Sequence, residues 1–446
     1  MNGMPSRDQA WARALAIAAV LLLSIWSGRQ LFLDGANFVV QPLLDPFWFP
    51  QPTPRRFFAV MWSTGALRLL GLIDPDAVVP GTMLFGAAVY ALILVPVVAI
   101  CRSGLDDALR HALLAVFLSG TLLLANFPVT ELLFALALTT LFTLYTLHPA
   151  DDPKGWKRLA AAFFLVASYE TIVLSNIVLA LAARRSGAQD GSAGWVRRTT
   201  LGLLCFGPLF QIGFYLVNPE PSGGDVLNAH VIVLAALLGG QLLLSLVAIR
   251  LFQHRPVIVI ALAAAAFVLP VALLLVGQGL YLRTRLFQYA YPSRVYTVGL
   301  SILIAMAPLL LDQRRWSWPR RGLDWLGGSL RGLSLTMVAL FAGTSILSSV
   351  DAYRYRSGLE KTLSQLSGIV LDVSVCDLCM EPRRFGLPDL GYPWIWTLYS
   401  MAHTMRRQDQ PAVVLIVPEA LTDEDISRAE VERFYAREAA QRRPPG

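Results

Sequence analysis

Four acidic side chains stand where a carboxylate could do chemistry in an otherwise apolar sequence. Asp34 and Asp45 follow the first long apolar segment, Glu131 opens another, and Glu170 interrupts the middle of segment 159–183. A carboxylate in a cleft that is partly shielded from water can act as a general base or hold a divalent metal ion. A divalent metal is therefore a candidate cofactor.

Most of these acids also have a structural explanation. Asp34 fits a polar residue at a helix end, Asp45 fits a turn before Pro46, and Glu131 complements a helix N-terminus. Glu170 differs, because a charged side chain at the bilayer centre costs about 2.5–3.5 kcal/mol on insertion scales. We predict Asp34, Asp45 and Glu170 as catalytic candidates and Glu131 as a substrate-binding residue.

A later polar stretch, residues 278–296, interleaves arginines with tyrosines. From it we predict five substrate-binding residues: Arg283, Arg285, Arg294, Tyr289 and Tyr291. Guanidinium groups bind phosphate bidentately, and tyrosines suit either a sugar ring or the lipid headgroup region. The pattern favours a dedicated lipid-phosphate site, with contact to ordinary phospholipid headgroups as the alternative.

The composition places these residues in a membrane protein. The chain has 446 residues, of which 55% are hydrophobic and 15% are charged, and its mean hydropathy is +0.56. Apolar windows of about 20 residues recur, each long enough to span about 30 Å of hydrocarbon. The formal charge of +7 does not indicate nucleic-acid binding, because the arginines sit in short loops between spans, where they determine topology.

The apolar windows predict an all-α polytopic membrane protein with about nine full spans and one broken segment. We place the spans near residues 11–33, 77–101, 108–126, 129–147, 199–217, 229–250, 257–277, 295–311 and 331–350. Segment 159–183 is predicted as two half-membrane helices that meet at Ser168-Tyr169-Glu170. This arrangement puts ten loop arginines on the cytoplasmic side against three on the other, whereas an unbroken helix would reverse them.

With the N-terminus in the cytoplasm, this topology divides the chain into two predicted domains. Residues 1–350 form the transmembrane domain, and residues 351–446 form an extracytoplasmic tail. The functional outer loop spans residues 34–76, and apolar residues after Arg55 and Arg56 recur at helical spacing. That spacing predicts a helix lying in the membrane interface.

The tail has the pattern of a small α/β unit. Short buried strands are predicted near 366–375 and 411–418, with an amphipathic helix over 393–407 between them. Cys376 and Cys379 form a CxxC in a compartment predicted to be oxidising, which favours a structural disulfide. The sequence has no second CxxC and no histidine pair near this one, so the motif does not indicate a zinc site.

Several of these segments resemble the polytopic GT-C glycosyltransferases, in their bacterial branches that modify surface polysaccharides or lipids. The resemblance rests on Leu33-Asp34-Gly35 after the first span, on the long first outer loop, and on two further stretches. Those stretches are NFPVTELLFALALTTLFTLY (126–145) and LVASYETIVLSN (165–176).

The resemblance implies transfer of a sugar from a polyprenyl-phosphate donor to an envelope glycan or lipid, at the outer face of a bacterial inner membrane. It assigns the general base to Asp34 or Asp45 and the lipid phosphate to Arg283, Arg285 or Arg294. Two other hypotheses remain: a transporter (flippase) of a lipid-linked sugar, and a non-catalytic component of an envelope assembly complex. Membrane lipids are partners in all three.

Overall fold

The computed structural model describes residues 7–31, 35–44, 47, 53–74, 77–124, 130–168, 172–186, 194–217, 290–310, 320–366, 368–370, 404, 413–415 and 436. Most of these residues are helical. The α-helices are α1 (Arg7–Trp26), α2 (Gly35–Leu44), α3 (Thr53–Ile73), α4 (Val78–Arg102), α5 (Asp107–Leu124), α6 (Thr130–Leu147), α7 (Trp156–Leu165), α8 (Val173–Ser186), α9 (Gly194–Val217), α10 (Ala290–Leu310) and α11 (Arg320–Leu363). Short 3-10 helices cover Arg29–Leu31 and Pro149–Asp151.

The helices have the character of a membrane protein. Within the described residues, three are long and apolar enough to cross a membrane: Arg56–Ile73, Val78–Arg102 and Leu330–Leu363. The outward faces of other helices also carry large apolar side chains, since Leu22 on α1 and Leu209 on α9 are more than half exposed. Lipid tails accept such surfaces, whereas water does not. The count of nine spans stays a prediction, and two of them, near 229–250 and 257–277, lie outside the described residues.

The first predicted span, 11–33, is wrong at its C-terminal end. Helix α1 ends at Trp26, and Gly28 adopts a positive φ of 77°. A glycine in this left-handed conformation commonly ends a helix, since it has no Cβ to clash. The chain then turns through the 3-10 helix Arg29–Leu31 before α2 begins.

The last predicted span, 331–350, lies within a longer helix. Helix α11 continues to Leu363, and an ion pair of 2.9 Å between Arg356 Nε and Glu360 Oε1 supports its polar extension. The predicted domain boundary at residue 350 therefore falls inside a helix.

The predicted outer loop, 34–76, contains two helices rather than one. Helix α2 packs on α3, whose Gly71 lies directly against the backbone of Leu43. Helix α3 runs antiparallel to α4, because Trp62 Nε1 donates a hydrogen bond of 2.8 Å to the carbonyl of Ala88 while Leu67 lies near Gly81. Its length allows either a crossing or an interfacial position, so the interfacial helix stays a prediction.

The buried apolar side chains form one continuous core to which all the α-helices contribute, with α4 and α6 supplying the most residues. Its largest fully buried aromatic side chains are Phe85, Phe117, Phe142 and Phe341. Hydroxyl groups join helices that are far apart in sequence: Ser24 and Ser349 lie 3.2 Å apart, and Thr297 donates to the carbonyl of Gly120 at 3.1 Å. Such bonds fix the mutual depth of helices whose surfaces are otherwise apolar.

Segment 159–183 forms two helices with a break between them, as its sequence predicts. Helix α7 has 10 residues and α8 has 14, so each is shorter than the roughly 20 residues a full span needs. Both pack along α9, but in opposite directions. Arg158 at the start of α7 and Ala183 near the end of α8 meet Thr200 near the start of α9. The segment therefore turns back on itself, and its half-membrane placement stays a prediction.

Two strands of the tail are described, β1 (Gly368–Val370) and β2 (Val413–Leu415). They pair in parallel, with Gly368 opposite Val413. Both fall inside the predicted strand segments 366–375 and 411–418. Apart from Thr404, the predicted helix over 393–407 lies outside the described residues, so the α/β tail and its extracytoplasmic location stay predictions.

Candidate functional site

The break between α7 and α8 exposes backbone groups that need partners, because a helix that stops leaves its last carbonyls unbonded. The carbonyl of Val166 accepts a hydrogen bond of 3.0 Å from the Nε2 of Gln211 on α9. The carbonyl of Ala167 accepts one of 3.0 Å from the backbone N–H of Phe58 on α3. Ser168 and Ile172, on either side of the tip, are fully buried. The break is thus held between α3 and α9.

Aromatic rings fill the space between the break and the neighbouring helices. The ring of Phe58 lies 4.9 Å from that of Phe163 and 5.2 Å from that of Phe164. Phe134 of α6 contacts Phe164 at 6.3 Å and Trp62 of α3 at 6.0 Å. Rings at these separations attract one another beyond the burial of their area. They therefore lock the start of α3, the start of α6 and the end of α7 into one arrangement.

Glu131 is the one predicted site residue whose side chain is described. It lies in the first turn of α6, and its Oε1 is 3.9 Å from the Nη1 of Arg56 on α3, with side-chain exposures of 10% and 22%. The pair sits beside the break because Phe58, two residues after Arg56, bonds to Ala167. A guanidinium next to a carboxylate offers both hydrogen-bond donors and acceptors to a polar ligand. We call Arg56, Phe58, Glu131, Ala167 and Ser168 the break cluster.

The turn after α1 buries an arginine that sequence reasoning missed. Arg29 is 2% exposed, and its Nη1 donates a hydrogen bond of 3.4 Å to the carbonyl of Ser345 on α11. Gln30 is fully buried and donates from Nε2 to the carbonyl of Thr82 on α4 at 3.2 Å. The available signal was the polar run Ser27-Gly28-Arg29-Gln30 inside an otherwise apolar span. A charge there is costly unless it is compensated, which marks a functional candidate.

The buried turn and the helix that carries Arg56 adjoin the same part of α4. Gln30 binds the carbonyl of Thr82, and Trp62 binds the carbonyl of Ala88. Six residues of α-helix separate these carbonyls, a rise of about 9 Å. One short stretch of α4 therefore supports both the turn that precedes Asp34 in sequence and the helix that carries Arg56.

The other predicted site residues cannot be placed by their side chains. Those that lie outside the described residues are Asp34, Asp45, Glu170, Arg283, Arg285, Tyr289, Cys376 and Cys379. Tyr291 and Arg294 lie in the first turns of α10, and only their backbone is described. What is described are segments flanking two of the acids: Leu31 and Gly35 around Asp34, and Ser168 and Ile172 around Glu170, all of them buried.

Within the described part of the chain, no three or more His, Cys, Asp or Glu side chains lie together as a metal site would require. The arrangement that is described instead combines one arginine–glutamate pair, a ring cluster and a broken helix. Comparison of the chain with protein-family models, with curated proteins and with solved structures gave no match.

Proposed function

We propose that this protein transfers a sugar from a polyprenyl-phosphate donor to an envelope glycan or lipid, at the outer face of a bacterial inner membrane. The break cluster is the observation that carries the proposal. It joins three segments that, under the topology we predict, share the outer face: the helix after Arg55, the start of α6 at Glu131, and the residues that flank Glu170. A site for a lipid-linked substrate needs polar groups of this kind next to apolar helix surfaces.

In the proposed reaction, Asp34 or Asp45 removes the proton from an acceptor hydroxyl. The hydroxyl oxygen then bonds to the anomeric carbon of the sugar while the bond from that carbon to the phosphate oxygen breaks. Polyprenyl phosphate leaves with the bonding electrons and is stabilised by Arg283, Arg285 or Arg294. Arginine suits this role because developing phosphate charge is best stabilised by fixed bidentate donors.

The break cluster has a positioning role in this proposal. The contacts of Ala167 and Ser168 hold the chain two residues before the catalytic candidate Glu170. Arg56 orients Glu131, whose carboxylate is an acceptor for sugar hydroxyls. Neither Arg56 nor Glu131 exchanges a proton with the substrate.

The test is a transfer assay with full-length protein in liposomes. Radiolabelled hexoses linked to undecaprenyl phosphate serve as donors, and an envelope glycolipid extract serves as acceptor. A general base contributes about 10²–10⁴-fold to such a reaction, so we expect Asp34→Asn or Asp45→Asn to lose about that much activity. Glu170→Gln should also lose activity. Asp106→Asn, at an exposed position between α4 and α5, is the matched control and should leave transfer unchanged.

Two outcomes would contradict the proposal. Transbilayer movement of the labelled lipid without transfer, lost in the same variants, would identify a transporter. Absence of transfer in the wild type and in all four variants, with thermal unfolding unchanged, would instead support a non-catalytic assembly component.

A further inference from the structure

The end of the molecule where α7 begins carries a concentrated positive surface that plays no part in the proposed transfer reaction. The start of α7, the end of α8 and the start of α9 meet there around a depression lined by Gly155, Arg158, Ala183, Arg197 and Thr200. Residues 148–158, 184–185 and 194–200 together contain seven Lys or Arg and two Asp. We call the exposed members of this set the basic rim: Lys154, Lys157, Arg184, Arg185 and Arg198.

The two acids of this surface are bound within the protein and do not neutralise the rim. Asp152 Oδ2 pairs with Arg158 Nε at 3.2 Å, with side-chain exposures of 3% and 6%. Asp151 Oδ2 lies 3.3 Å from His148 Nδ1 and accepts a hydrogen bond from the backbone N–H of Gly104 at 3.3 Å. The rim therefore presents its positive charge outward.

Aromatic side chains stand among these cations. Trp156 and Trp195 form an edge-to-face pair with ring centroids 5.1 Å apart, and both indoles are about half exposed. The Nζ of Lys157 lies 4.8 Å from the ring centroid of Tyr145. Exposed tryptophans next to apolar helix faces are typical of the headgroup level of a membrane, because the indole combines an apolar ring with one polar N–H.

We propose that the basic rim and the Trp156–Trp195 pair form a binding site for an anionic phospholipid headgroup. The rim supplies charge complementary to a phosphate, and basic pockets between transmembrane helices bind anionic headgroups in this way. The tryptophan pair favours a lipid over a soluble anion, since its exposed rings can pack on glycerol and acyl carbons. Leu181, one turn before Arg185 on α8, is also exposed and extends this apolar contact surface.

The proposal is tested by native mass spectrometry of the full chain in detergent, titrated with phosphatidylglycerol or with phosphatidylcholine. We expect the wild type to bind phosphatidylglycerol about tenfold more tightly than phosphatidylcholine, or more. A basic side chain near a lipid surface contributes about 1 kcal/mol, or about fivefold in affinity. The variant Arg184→Gln/Arg198→Gln should therefore bind phosphatidylglycerol about tenfold to thirtyfold more weakly.

The matched control is Arg102→Gln/Arg331→Gln, which removes two exposed arginines that are not members of the rim. Arg102 lies over the ring of Trp11, with its Cζ 5.7 Å from the ring centroid. This double variant should change the affinity for phosphatidylglycerol by less than about twofold, well below the factor of five per rim arginine. If both double variants lost the same affinity for phosphatidylglycerol, the lipid would be held by general electrostatic attraction to the protein surface, and the proposed site would be wrong. Equal affinity of the wild type for both lipids would overturn it too, as would displacement of phosphatidylglycerol by inorganic phosphate. None of these readouts depends on sugar transfer.

Discussion

The two ends of helix α7 are stabilised in opposite ways. At its start, the carboxylate of Asp152 accepts hydrogen bonds from the backbone N–H groups of Lys157 at 3.2 Å and Arg158 at 3.1 Å. The same carboxylate pairs with the Arg158 side chain. All of these partners lie within six residues, so the start of α7 is complete as soon as this short segment has folded.

At its other end, α7 relies on distant parts of the chain. The carbonyls of Val166 and Ala167 are bonded by Gln211 on α9 and by Phe58 on α3. Gln211 is 45 residues away from its partner. This end is therefore complete only when three separate segments have packed together.

The two ends of α7 therefore depend on different parts of the chain. The start of α7 is capped within its own segment, whereas the position of the break depends on how α3, α6 and α9 pack around it. Sites for substrates are usually assembled from segments far apart in sequence and held by a rigid frame. In this molecule, the end of α7 at the break is the one held by segments that are far apart in sequence.

The largest effect on stability should come from the locally capped end. Asp152→Ala removes a partner of a buried guanidinium and the acceptor of two backbone N–H groups. Breaking a buried ion pair in this way costs about 3–5 kcal/mol, so the midpoint of thermal unfolding in detergent should fall by several degrees. Lys154→Ala, at an exposed position two residues after Asp152, is the control and should shift the midpoint little. Equal shifts in the two variants would remove the distinction between the two ends.

A smaller effect is expected where the break packs on α9. A Cβ at Gly207 would lie 3.2 Å from Asn176 Nδ2 and 3.4 Å from the Cα of Val166. Gly207→Leu should therefore push α7 and α8 away from α9, and overpacking of this kind costs about 1–3 kcal/mol.

The control for this substitution lies on the same helix. Gly213→Leu introduces the same side chain at a position with no neighbour within 4 Å, so its midpoint of thermal unfolding should stay near that of the wild type. A larger loss for Gly213→Leu than for Gly207→Leu would show that the break does not depend on this close approach.

The existence of the break could be predicted from sequence, because its causes are local costs. A glutamate in the middle of an apolar segment and the uneven distribution of loop arginines both oppose an unbroken helix. The strands near 368–370 and 413–415 are likewise predicted by short runs rich in β-branched residues.

The partners at the break could not be predicted, because hydrophobic periodicity gives the face of a helix but not its neighbour. Nothing in the sequence around Val166 indicates Gln211, and nothing around Ala167 indicates Phe58. The burial of Arg29 was missed for the same reason, since Ser345 on α11 belongs to the last described helix. Helix α2 was also missed, since Pro42 in its interior is typical of a loop.

The smallest effect should come from a single long-range hydrogen bond at the break. Gln211→Met keeps a side chain of similar length but removes the donor to the Val166 carbonyl. Side-chain hydrogen bonds in membrane proteins contribute about 0.6 kcal/mol on average, with a range up to about 1.7. We therefore expect a loss near 1 kcal/mol, measured as a small decrease in the unfolding midpoint. Thr336→Val is the control, because the Thr336 hydroxyl bonds only within its own exposed turn. A loss as large as that of Asp152→Ala would mean that folding depends on the break as much as on the capped start.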